Sequence, residues 1–160
     1  MSALVLVHVA ISLVAIVAGV VVMFRMLVSD RAPGWTSVFL VTTILTSATG
    51  FLIPPFLWDK FLPSQAIGIL SLVLLAVACH ALYSARLAGP WRWIYVVTAL
   101  ISLYLNTFVL VIQSFLKIPA LSAIAPGNPP AGPAFAVTQG LVLVFFAFMT
   151  FRAVRQFHPA

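Results

Sequence analysis

Five long apolar stretches run through this chain, and the basic residues between them alternate in kind. All six arginines (Arg25, Arg31, Arg86, Arg92, Arg152, Arg155) follow the first, third and fifth stretches or precede the second and fourth. Both lysines (Lys60, Lys117) lie at the opposite ends. Short cytoplasmic loops retain Lys and Arg, so this six-to-two bias reads as a membrane protein with its N-terminus outside and its C-terminus in the cytoplasm.

The stretches are long enough for this. A helix rising 1.5 Å per residue needs about 20 apolar residues to cross a 30 Å hydrocarbon core. Ala3–Val28, Trp35–Leu57, Gln65–Leu87, Trp93–Leu116 and Ala134–Val154 each qualify. They are continuously apolar rather than alternating, which predicts helices and not a barrel. Trp35, Trp58, Trp91 and Trp93 fall at the ends of these spans, where interfacial aromatic belts sit. The expected architecture is an all-α integral membrane bundle of five transmembrane helices in one domain, 1–160. Its spans are about 3–28, 35–57, 65–87, 93–116 and 134–154. The loop 117–133 holds five prolines and cannot continue a helix, so it forms an external cap with one short turn near Ala120–Ala125. Arg25 and Arg31 follow the first stretch instead of preceding it, which predicts a retained span and not a cleaved signal peptide.

Only 6% of the residues are charged, with no Glu and two Asp, Asp30 and Asp59, both in loops. Carriers driven by protons or sodium place a carboxylate inside the membrane, and none is available here. Carboxylate hydrolysis fails for the same reason. Cys79 stands alone, so intrachain disulfides and paired-cysteine chemistry are excluded. The net charge of +6 is spread singly over helix ends, which speaks for topology and against nucleic acid.

Chemistry therefore falls to neutral polar groups within the spans. His8, Ser12, Ala15 and Gly19 share one face of the first helix. Thr42, Thr46, Thr49 and Gly50 form a stripe on the second, and Gly68, Ser71 and Ala78 on the third. Ala99, Ser102, Asn106, Val109 and Gln113 line up on the fourth; Gln139, Gly140, Leu143, Ala147 and Thr150 do so on the fifth. Counted from the external ends, His8, Ser71, Gln113 and Gln139 lie roughly 6–9 Å deep, and Thr49, Thr46 and Asn106 roughly 12–17 Å. We expect His8, Thr46, Thr49, Asn106, Gln113 and Gln139 to form a polar layer in the outer half. Such groups also serve as glue between helices, at about 0.6 kcal/mol each.

The stretches LVLVHVAISLVAIVAGVVV, TTILTSATGFLIPP, LPSQAIGILSLVLL and GPWRWIYVVTALISLYLNTFVLVIQSFLKIPAL resemble a group of small membrane proteins of proteobacteria with no known activity. The resemblance implies a bacterial inner-membrane location and assigns no functional residue. Length and span count are also similar to the tryptophan-rich sensory (translocator) proteins. The tryptophan-proline motifs of their first loop are absent from SDRAPGWTS, which leaves an analogy of shape.

The first expectation is a non-enzymatic protein that binds a small amphiphile (a lipid, quinone or hydrophobic metabolite) among membrane lipids, with no cofactor. A second is an accessory subunit of a larger membrane complex. A third is a haem protein, since His80 and Met149 match in depth on the third and fifth helices. His158 is expected to be solvated on a free tail.

Overall fold

The computed structural model describes residues 2–54 and 62–160, and the fold is all-helical, with no strand among the described residues. The helices are α1 (Ala3–Leu27), α2 (Pro33–Gly50), α3 (Pro63–Cys79), α4 (Trp91–Lys117), the short α5 (Pro119–Ile124) and α6 (Pro133–Gln156). A π-helical turn, His80–Ser84, extends α3. Trp58, Asp59 and Lys60 lie outside the described residues.

Among the described residues, four helical stretches are long and apolar enough to cross a membrane: α1, α3 with its π turn, α4 and α6. Their outward faces carry Val17, Val73, Leu141 and Val144, each more than half exposed. A water-facing surface of that kind would aggregate, whereas lipid accommodates it. The protein is a membrane protein by this criterion. α2 falls short of it, because its 18 residues include Thr36, Thr42, Thr43, Thr46 and Thr49. Each of these hydroxyls bonds a backbone carbonyl four or five residues earlier in the chain, at 2.6–2.8 Å. The hydroxyls are thus satisfied without water, and α2 packs closely on α1.

α2 ends at Gly50; Leu57, the expected end of the second span, lies outside the described residues. The chain then turns through Phe51–Pro54, with the Phe51 and Leu52 amides donating to Ala48 and Thr49 carbonyls in tight i−3 bonds. Proline at 54 and 55 forbids further helix. α3 likewise closes before Leu87. Arg86 and Leu87 adopt left-handed φ of 51° and 59°, and the Leu87 amide reaches back to the Ala81 carbonyl.

α4 is the hub, packing on α1, α2, α3, α5 and α6. Its buried face begins with Tyr95, Val96, Ala99, Leu100, Ser102 and Leu103. These side chains meet Met23 and Met26 of α1, Phe39 and Leu40 of α2, Leu75 and Ala78 of α3, and Phe146 and Met149 of α6 in one core. That core occupies the arginine-bearing end of the bundle. The same end is tied by polar contacts: Arg92 donates to the Val154 and Phe157 carbonyls at the C-terminus of α6, at 3.0 and 2.6 Å. Arg25 pairs with Asp30 at 2.8 Å. The tail is not free. Phe157 is buried against Tyr95, and the His158 amide donates to Ser29 Oγ at 2.7 Å, although the His158 side chain stays exposed.

α6 departs from its expected face. Leu143 and Ala147 point outward, and a Cβ on Gly140 would meet nothing within 4 Å. Large residues pack it instead, with Phe146 against Tyr104 at 5.7 Å between centroids. Helices in lipid are held by van der Waals packing, and on α6 these aromatic side chains supply it.

The tightest approach is at Gly19, where an added Cβ would lie 2.5 Å from Leu103 Cδ1 and 2.8 Å from Phe39 Cε2. Gly19→Ala should therefore destabilise the bundle by about 1–3 kcal/mol through overpacking. Gly140→Ala should be neutral or stabilising by up to about 1 kcal/mol. Thermal unfolding in detergent compares them, and equal shifts would contradict this packing.

Candidate functional site

The lysine-bearing end of the bundle is hollow. A cavity of about 600 Å³ lies between the first half of α1, the end of α2, the start of α3 and the second half of α4. Its floor is set by Ile16, Thr43, Ser71 and Leu105, and its outer rim by Pro54, Leu62, Ser64 and Lys117. The stripes read from the sequence explain its walls. On α1 the face that buries Ala15 and Gly19 continues upward as Ser12 and His8. On α4 the face that buries Ala99 and Ser102 continues as Asn106, Val109 and Gln113. One face of each helix thus serves the core at one end and the cavity at the other.

Four of the six expected site residues come together on this cavity: His8, Thr46, Asn106 and Gln113. Thr49 stands directly behind His8, with 2.8 Å between His8 Nδ1 and Thr49 Oγ1. The pair sits level because α2 ends at Gly50; depth counted from Leu57 put Thr49 too far in. Thr49 Oγ1 also lies 2.7 Å from the Leu45 carbonyl. The same oxygen meets His8 Nδ1, and the imidazole tautomer decides which of the two donates. Gly50 passes beside this ring; a Cβ there would come within 3.5 Å of His8 Cε1.

Gln139 does not reach the cavity. It donates to the Phe108 carbonyl at 3.1 Å and joins α6 to α4, while its Oε1 is buried without a partner. Thr46 lines the wall but returns its proton to the Thr42 carbonyl. Asn106 is the exception among these groups. Its Nδ2 is buried without a hydrogen-bond partner, and no other bond engages the amide among the described residues. An orphaned buried donor costs about 1–3 kcal/mol unless something meets the amide.

Sequence reasoning missed Gln65. It is buried on the cavity wall, where its Oε1 accepts from the Leu62 amide at 2.9 Å. The signal was local: Leu-Pro-Ser-Gln sets Gln at the third position of a helix that starts on Pro63, a place from which it reaches back to the chain before the helix. The residues of the haem reading lie elsewhere. His80 is exposed with its ring edge-on to Trp91 at 4.8 Å, and Met149 is buried in the core. No group of three His, Cys, Asp or Glu side chains converges among the described residues.

The chain matches no protein-family model, no curated protein and no solved structure.

Because His8 and Thr49 share one bond, removing either should cost about 0.6 kcal/mol, and at most about 1.7 kcal/mol. The double variant His8→Leu, Thr49→Val should lose little more than one single variant. A thermodynamic cycle in detergent measures this; additive losses would show that the two groups act independently.

Proposed function

We propose that this protein is a five-span inner-membrane protein, N-terminus outside, that binds one small amphiphile in the cavity of its outer half. The observation that carries the reading is the cavity's make-up. Its volume falls in the range of small-molecule sites, and its walls are apolar with a few polar groups turned inward. Leu13 and Ile16 of α1 and Leu105 and Val109 of α4 line it, and they suit an acyl or isoprenoid body. Asn106 supplies an unmet amide and His8 a ring nitrogen, enough to orient a polar group without catalysing a reaction on it.

Five spans follow if α2 crosses with the others, which its internally bonded threonines permit. A reporter fused after Ala160 should then be active in the cytoplasm and silent outside. Activity outside would remove the outer-half placement.

Binding can be read with a pyrene-labelled long-chain alcohol, a neutral amphiphile. The purified protein should take up one probe, and the variant Asn106→Leu, Gln113→Leu should lose it while keeping its melting temperature. Retained binding in that folded variant would overturn the site.

A further inference from the structure

We infer that the amphiphile is a long-chain one, whose tail leaves the cavity floor past Ile16 and lies in a second, apolar groove between α1, α4 and α6. This rests on the binding reading above and adds the length and path of the tail to it. The groove measures about 350 Å³ and is lined by Val20 of α1, Thr107 of α4 and Leu141, Val142 and Phe145 of α6. Its one hydroxyl, on Thr107, is spent on the Leu103 carbonyl at 2.9 Å. Nothing in the groove asks for a polar ligand. Ile16 lines both the groove and the cavity. On α4 the boundary falls between neighbours, since Asn106 lines the cavity and Thr107 the groove. The two spaces therefore adjoin at one side chain.

Straight ahead the cavity is closed. One turn below Ile16, Gly19 meets Leu103 and Phe39, and Val22, Met23 and Leu100 fill the space that follows. From His8 to Ile16 is eight residues of α1, about 12 Å. A polar group held at His8 thus leaves that much depth for an extended tail. A longer tail cannot enter the core, and the groove beside Ile16 gives it apolar walls to continue on. Contact with those walls comes from packing, as between helices in lipid. The ligand class is a single-headed amphiphile whose chain outruns the cavity.

Competition against the pyrene alcohol tests this with 1-decanol and 1-eicosanol, their concentrations counted per mole of detergent so that partition into micelles cancels. Inhibition constants are corrected for the affinity of the probe in each protein. Eicosanol should compete about tenfold better than decanol. Val142 lines the groove and not the cavity, so Val142→Phe should erase that advantage and leave decanol competition unchanged. Leu141→Trp, at a position two-thirds exposed, gives the same reading where Val142→Phe fails to fold. Val73→Phe, on the outward face of α3, should preserve the advantage. Equal competition by the two alcohols overturns the inference and leaves the cavity reading intact. So does a long-chain advantage that survives the filled groove, which would then hold only bilayer lipid, and so does an equal loss for both alcohols. Failure of the pyrene alcohol itself to bind would overturn the cavity reading too.

Discussion

The approach of α2 and α4 to α1 at Gly19 is the constraint on which the rest of the bundle depends. Between helices in lipid there is little hydrophobic force, because the surrounding tails are as apolar as leucine. Contact must come from shape. Gly19 leaves room for the Phe39 ring and for Leu103, and these two side chains close the bundle just beneath Ile16, Thr43 and Leu105. Below that point Val22, Met23, Leu100 and Tyr95 fill the space to near-zero exposure. Above it the helices enclose a cavity. A single close contact thus divides the molecule into a solid half and a hollow one.

The solid half also holds the firm polar ties: Arg92 on the end of α6, Arg25 with Asp30, and Ser29 with the tail amide. The hollow half has weaker ones. His8 meets Thr49, Gln65 holds the start of α3, and Gln139 joins α6 to α4. Most hydroxyls in the bundle are spent on their own helices, as Thr98 and Ser102 show on α4. They satisfy themselves and add little between helices. Amides cannot do this, since a carboxamide must place two donors and an acceptor. This is why Asn106 and Gln139 retain unpartnered atoms while the threonines do not.

Much of this was legible in the sequence. The lengths of α1, α4 and α6 agree with their apolar runs to within a few residues, and the stripes on α1 and α4 mark the faces that turn inward. Polar spacing worked there because burying Asn106 or His8 against lipid would leave it unmet. The stripe on α6 failed because Gly140 and Ala147 are small and apolar, and such residues tolerate lipid as readily as a neighbour. The position of Gln139 between helices was legible, but not that its partner is a carbonyl of α4 instead of a ligand. Pro54 and Pro55 mark in the sequence where the second span ends or kinks, and α2 stops ahead of them at Gly50. The π turn at His80–Ser84 left no sequence signal that a hydrophobic count could register.

The few charges of this chain stand at the ends of its helices. The arginines stand at the solid end, where Arg25 is paired with Asp30 and Arg92 holds two carbonyls. Lys117 stands at the hollow end, in the last turn of α4, where its charge favours the helix it terminates. That role needs no cavity.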